Sequence, residues 1–354
     1  MAFFNKHNKR RKKMVKKADI TWSELRFGYI KCDYRFISRF KEGKWDDGEL
    51  TQDDYIRIHE GSTAIHYGQQ CFEGMKAYTT KEGKIVLFRP DRNAARMRTS
   101  CENLLMEPYP EDKFIEAVKK VVKANERFIP PYGSGASLYI RPYLIGVGEN
   151  VGVRPAPEYL FGIFVTPVGP YFKGGMAPCH FITSEYDRAA PKGTGGVKVG
   201  GNYAGSLKAH KIAVDAGYSD CIYLDPATHT NIEEVGAANF FGITADNAFV
   251  TPKSPSILPS ITKYSLMHLA EHNLGMKVIE RDVPVTSLGE FVEAGACGTA
   301  AVITPIGSIT HHGEKYSFYG EGKEVGPKIK ELYSLLTSIQ AGDKEGPKGW
   351  VVEV

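Results

Sequence analysis

The chain has 354 residues, room for about two domains at roughly 100–200 residues each. Its 42% apolar and 24% charged residues are those of a packed globular protein, and no apolar run reaches the ~18 residues of a membrane-spanning helix. The net charge of +4 is concentrated at one end: Lys6, Lys9, Arg10, Arg11, Lys12, Lys13, Lys16 and Lys17 all precede the first acid, Asp19.

Residues 1–20 therefore read as a basic, solvated and disordered leader rather than a nucleic-acid arm or a membrane contact. No apolar segment follows the charges, as a secretory signal requires. After Trp22, strands are expected over His66–Thr79 and Lys84–Phe88, around the turn Lys81-Glu82-Gly83. Helical periodicity follows over Asp91–Leu105 and Glu111–Arg127. In the second of these, Phe114, Ile115, Val118, Val121 and Val122 trace one face. Leu138–Val147 and Tyr159–Val165 return to strand character. The Pro- and Gly-dense run Pro167–Gly175 then marks an interdomain loop, residues 167–176, between a small N-terminal domain (21–166) and a larger C-terminal one (177–354).

In the second half, Leu207–Ala216 reads as a helix stopped by Gly217 and Cys221–Leu224 as a strand, while Phe240–Thr244 and Ala248–Thr251 read as a hairpin. Ile261–Leu274 is a helix ended by Gly275. Ser287-x-x-Glu290 forms a capping box for a short helix to Ala294, stopped by Gly295. Val302–Ile309 is a strand and Gly326–Ile339 a closing helix. The mixture is α+β without regular βαβ alternation, and no G-x-G-x-x-G or P-loop opens a helix, so a doubly wound dinucleotide fold is disfavoured. Cys32, Cys71, Cys101, Cys179, Cys221 and Cys297 are scattered, with neither a C-x-x-C pair nor metal-ligand spacing. They read as reduced core residues of a cytoplasmic protein that binds no metal.

Three segments could carry chemistry. In Gly193–Tyr203, GTGGVKVGGNY, Lys198 stands between glycine pairs among small and apolar residues. A desolvated lysine loses basicity and becomes a nucleophile suited to Schiff-base formation, although a lysine in a Gly-rich loop is by itself usually a surface residue. Glu233-Glu234 precede Val235-Gly236, where a carboxylate could face a pyridine nitrogen, or simply lie solvated in a turn. Ser260 is placed to cap the helix from Ile261, whose free amides would suit a phosphate, with Gly298-Thr299-Ala300 as further small residues. An ordinary helix cap reads the same way.

Taken in order, HYGQQCFEGMKAY (His66–Tyr78), ARM around Arg96, LYIRP (Leu138–Pro142), VKVGGNY (Val197–Tyr203), EEVG (Glu233–Gly236), LPSIT (Leu258–Thr262) and GTA (Gly298–Ala300) resemble the branched-chain aminotransferases. These are fold-type IV enzymes dependent on pyridoxal phosphate. The resemblance implies a two-domain α+β fold, a homodimer, and transfer of an amino group between L-leucine, L-isoleucine or L-valine and 2-oxoglutarate. It assigns Lys198 to the cofactor Schiff base and to proton transfer, Glu234 to the pyridine nitrogen and Tyr203 to the phenolic oxygen. Arg96, Ile261, Thr262 and Thr299 fall to the phosphate. Phe27, Tyr67, Phe72, Tyr139 and Val153 match the side-chain pocket, Arg141 the site for the distal carboxylate of glutamate, Thr299 and Ala300 the α-carboxylate, and Tyr171 a closing loop. The Tyr139-x-Arg141-Pro142 segment and the FEGMKAY run favour this family over the D-amino-acid aminotransferases and aminodeoxychorismate lyases. Two departures point to a bacterial type: Ala301 and Thr304 replace the redox C-x-x-C of the mammalian enzymes, and Ala237 replaces their threonine.

Overall fold

The computed structural model describes residues 15–172 and 174–354. Its strands form two sheets that follow one another along the chain. The first holds β1 (Arg35–Lys41), β2 (Lys44–Trp45), β3 (Glu49–Thr51), β4 (Gln70–Phe72), β5 (Met75–Thr79), β6 (Ile85–Phe88), β7 (Ser137–Val147) and β8 (Glu158–Val168). The helices of this half are α1 (Thr63–His66), α2 (Pro90–Asn103) and α3 (Glu111–Ala124). The second sheet holds β9 (Cys179–Thr183), β10 (Asp220–Leu224), β11 (Ile232–Val235), β12 (Ala238–Thr244), β13 (Ala248–Pro252), β14 (Lys277–Arg281), β15 (Phe291–Gly298), β16 (Val302–His311) and β17 (Glu314–Ser317). With it go α4 (Gly200–Ala204), α5 (Leu207–Asp215), α6 (Ile261–Leu274) and α7 (Pro327–Gln340). The last strand, β18 (Val351–Glu353), crosses back to pair with β6.

The long antiparallel hairpin β7–β8, in register from Ser137↔Val168 to Val147↔Glu158, is the spine of the first sheet. On α3, Phe114, Ala117, Val118, Val121 and Val122 recur at helical spacing and are buried, and Glu111 and Asp112 favour its positive N-terminus. Each large apolar side chain so buried contributes roughly 1.5–3 kcal/mol, so this face, rather than helix propensity, docks the helix. In the second sheet the path β11–β10–β9–β16–β15–β12 closes on itself through a β11–β12 pairing. This barrel is filled by residues such as Phe181, Ile222, Phe240, Ile306 and Ile309. Helices α6 and α7 cover its outside, packing Leu266, Leu269, Leu332 and Leu336 into a separate core.

Several expectations need correction. His66–Thr79 is not one strand: α1 occupies its start, and Glu73-Gly74 separates β4 from β5, which pair with different stretches of β7. The capping box at Ser287 fails. Its hydroxyl donates to the Pro284 carbonyl (2.8 Å), residues 285–290 form a 3₁₀ turn, and Phe291–Gly298 is a strand flanked by β12 and β16. Barrel closure outweighs the local helix signal there. The interdomain loop starts later than expected, because β8 runs to Val168. Nor is the division at residues 21–166 and 177–354 clean, since β18 joins the first sheet and Phe88 of β6 lies in the α6/α7 core. Of the basic leader, residues 1–14 lie outside the described residues. Lys17 and Ala18, by contrast, are bonded to Glu126 and Arg127, and Ala18 and Ile20 pack on the first core. Among the described residues no helix is long and apolar enough to cross a membrane.

Candidate active site

The glycine-rich segment carrying Lys198 is built for close packing. A Cβ on Gly195 would lie 2.6 Å from the Ser256 Cα, and one on Gly196 2.8 Å from the Pro255 carbonyl oxygen. Val197 and Val199 are buried in the first core, so the alternation of extended backbone sends the intervening Lys198 side chain the other way. The Lys198 amide donates to Ser100 Oγ (3.0 Å), and its carbonyl accepts from the Phe72 amide (3.1 Å). Its Nζ donates to the Tyr203 hydroxyl (2.6 Å) and lies 4.7 Å from the Phe72 ring centre. Burial, reinforced by the Arg96 charge and opposed by Glu73 and Glu234, pushes the Lys198 amine down to about 7. Burial and the Glu234 charge push the Tyr203 phenol upward, so it keeps its proton.

The amine faces a cavity of about 650 Å³ between the two sheets. Phe27, Phe72, Arg96, Tyr139 and Arg141 line it from one side; Tyr203, Asn239, Ser260, Cys297, Thr299 and Ala300 line it from the other. The lining contains Arg96, Arg141 and Lys198 but no aspartate or glutamate, an electrostatic field made for an anion. Glu234 stands one layer behind. One oxygen accepts from the Leu258 amide (2.7 Å) and from Asn239 Nδ2 (3.3 Å); the other is 3.4 Å from Arg188 Nε. Burial raises the Glu234 carboxyl, and the Arg188 charge and the Leu258 amide hold it back.

Two residues of this network were given no role by the sequence: Arg188, outside every motif, and Glu73, inside FEGMKAY. The Arg188 side chain is buried, donating to the carbonyls of Gly195 (3.0 Å) and Ser256, and so ties the lysine loop to the layer of Glu234. Its charge is within ion-pair range of Glu234, yet its Nε makes no hydrogen bond of proper geometry. Glu73 is fully buried and grips Arg96 with both oxygens, at 2.7 Å each. Arg96 Nη1 donates further to the Pro259 carbonyl (2.9 Å). Burial would lower the Arg96 pKa, but the Glu73 charge and hydrogen bonds reverse the sign and raise it.

The other expected site residues divide. Phe27, Phe72, Tyr139, Arg141, Thr299 and Ala300 meet at the cavity. Arg141 lies over the rings of Phe72 and Tyr139 (4.8 and 5.2 Å) and donates to the Tyr139 hydroxyl (3.0 Å). Ile261 and Thr262 open α6 directly after the cavity residue Ser260, whose hydroxyl caps the Lys263 amide (3.2 Å). Tyr67, Val153 and Tyr171 do not reach the cavity within the chain. The Tyr67 hydroxyl is bound to the Val151 carbonyl in a loop where Val153 is 86% exposed, and Tyr171 faces a second cavity beyond Ala300. Among the described residues no cluster of His, Cys, Asp and Glu could hold a metal ion.

The residues fit a phosphorylated, nitrogen-bearing aromatic cofactor. Arg96 has five N–H donors, of which Glu73 and Pro259 take three. The first-turn amides of α6 have no intrahelical acceptor. The Nε of Arg141 and Oδ1 of Asn239 are buried without partners beside the cavity. A carboxylate layer lies behind it, and the volume falls within the ~300–1,000 Å³ of small-molecule sites.

Comparison with known proteins agrees. A family model described as amino-transferase class IV matches residues 70–309. The chain is 62% identical over 341 residues to a branched-chain-amino-acid aminotransferase of Haemophilus influenzae, covering 95% of this chain and 99% of that one. It is 59% identical over 338 residues to the enzyme of that name from Helicobacter pylori, with 95% and 98% covered. Among solved structures, the branched-chain aminotransferase of Escherichia coli superposes with a TM-score of 0.75 at 28% identity, over 91% of this chain and 99% of that one. A T.th. branched-chain aminotransferase with pyridoxamine 5'-phosphate gives 0.77 at 26% identity, over 92% and 99%.

Proposed function

The chain belongs to the class IV aminotransferases, in their branched-chain-amino-acid group, and on that premise we propose that Lys198 holds pyridoxal phosphate and carries the proton of an L-leucine, L-isoleucine or L-valine transamination with 2-oxoglutarate. The observation that carries this reading is a buried, near-neutral amine facing a cavity lined by arginines and no acid.

When bound, pyridoxal phosphate supplies an electron sink for the negative charge that develops at the substrate α-carbon. The protein does the rest. Burial and the Arg96 charge push the Lys198 amine down to about 7, within reach of neutrality, so Nζ is suited to take the α-proton and give it back. The Tyr203 hydroxyl, 2.6 Å away, keeps that amine pointed into the cavity. Arg96, the amides of Ile261 and Thr262 and the Thr299 hydroxyl would hold the phosphate, and the Glu234 carboxylate would favour a protonated pyridine nitrogen. A charge-assisted arginine–phosphate contact is about twice as strong as a neutral hydrogen bond.

Phe27, Phe72 and Tyr139 accept the aliphatic side chain. Each buried methylene is worth about 0.8 kcal/mol, so discrimination among the three substrates is modest. Arg141 receives the distal carboxylate of glutamate in the same pocket, and the amides near Thr299 and Ala300 the α-carboxylate. The protein works in the cytoplasm as a homodimer in which the loop bearing Tyr67 and Val153 serves the neighbouring subunit's cavity, with Tyr171 closing over the substrate. Transamination of 2-oxoglutarate with L-leucine set beside D-alanine is the test. Activity with L-leucine is expected, and activity with D-alanine alone would sink the reading.

A further inference from the structure

Glu73 lies between β4 and β5 with a relative exposure of 0%. A lone buried carboxylate is costly, so its partners define what it is there for. Its Oε1 accepts from Arg96 Nε (2.7 Å), and its Oε2 from Arg96 Nη2 (2.7 Å), Asn93 Nδ2 (2.8 Å) and the Gly74 amide (3.3 Å). Its own amide is fixed by the Pro142 carbonyl (2.8 Å). Asn93 and Arg96 are one helical turn apart on α2, which places both on the face turned to Glu73. The carboxylate thus fixes one edge of the guanidinium, and the Pro259 carbonyl, just before α6, anchors Nη1. What remains free on Arg96 is a pair of N–H donors in a single orientation.

Resting on the reading of Arg96 as a phosphate ligand, we propose that Glu73 is a positioning residue for cofactor binding, holding the Arg96 guanidinium in the one orientation that presents its free donors to the phosphate. Two effects of the carboxylate oppose each other. Its negative charge weakens the attraction of the site for an anion, while its bidentate grip removes the freedom of a long, flexible side chain. Arg96 is held by Glu73 and Pro259 together, and the α6 amides lie at the same end of the cavity, so orientation outweighs the charge it cancels.

The test compares the affinity of the full-length apoenzyme for pyridoxal phosphate with its affinity for pyridoxal, which lacks the phosphate. Glu73→Gln keeps the shape but turns a donor toward Arg96 and Asn93. It is expected to weaken pyridoxal phosphate binding about tenfold to a hundredfold and to leave pyridoxal binding within a few-fold of wild type. Glu73→Asp, which keeps the charge on a shorter arm, is expected to lose less, and it carries the test where Glu73→Gln does not fold. Equal losses for both ligands would make Glu73 a general packing element and overturn the proposal, as would unchanged affinity for pyridoxal phosphate. Arg96→Gln, which removes the cation, measured in the same way, separates the premise from the inference. A preserved preference for the phosphorylated ligand there would remove Arg96 from the phosphate site and the proposal with it. A preference lost in Arg96→Gln but kept in Glu73→Gln would refute the role of Glu73 alone.

Discussion

Two part-buried lysines have amines of lowered basicity, and only one faces the cavity. Lys76, on β5, donates to the Ala300 carbonyl (2.8 Å), and burial alone pushes its amine down to about 8. Lys198 is pushed to about 7 by burial together with the Arg96 charge. By basicity the two are near neighbours. Lys76, however, opens on a separate cavity of about 310 Å³ and is set in register opposite Tyr139, where its partner is a backbone oxygen. Lys198 has a hydroxyl at 2.6 Å, an aromatic wall, and a carboxylate layer behind. Desolvation makes an amine available, and the groups around it decide whether it is used.

That contrast can be broken in three ways. The largest effect belongs to Lys198→Ala, expected to cut kcat about 10²–10⁴-fold or more, because proton transfer is removed along with the cofactor attachment. Sustained leucine transamination by this variant would end the assignment. Lys76→Met is expected to raise KM for the amino acid only about twofold to tenfold, the worth of one hydrogen bond to the turn, with kcat close to wild type. A kcat loss matching that of Lys198→Ala would erase the distinction. The subtlest is electrostatic. Arg96 lowers the Lys198 pKa and Glu73 raises it, so Arg96→Gln in the apoenzyme is expected to move the midpoint of amine modification at Lys198 upward from about 7 and to leave Lys76 near 8. The pH dependence of labelling by an amine-directed reagent, resolved by peptide, reads both at once. A downward shift at Lys198 would contradict the sign.

Much of the site could be read along the chain because its parts sit in short, ordered motifs. Lys198 between glycines, Tyr203 five residues on, Glu234 before Gly236 and Ser260 ahead of α6 are local patterns, and the structure brings them together. Strong periodicity likewise gave α3 nearly to its end, and the Ser260 cap and the Gly275 stop gave both ends of α6. What escaped was relational. Glu73 stands in full view inside FEGMKAY, but nothing local says that its carboxylate turns inward to an arginine 23 residues away. Arg188 sits in an ordinary polar stretch, and its importance arises only when the loop folds over Gly195 and Ser256. The helix expected after Ser287 was a sound local reading overruled by barrel closure, where Phe291, Ala294 and Ala296 are needed inside. Tyr67 and Val153 were named from the motifs, but their place away from the cavity that Lys198 faces is a matter of how the chain folds and not of local pattern.

The most direct measurement is to reduce the holoenzyme with borohydride, digest it, and locate the phosphopyridoxyl group by mass spectrometry. The label is expected on the peptide containing Lys198, with the Lys76 peptide unmodified. Label on Lys76, or on any lysine other than Lys198, would contradict that assignment.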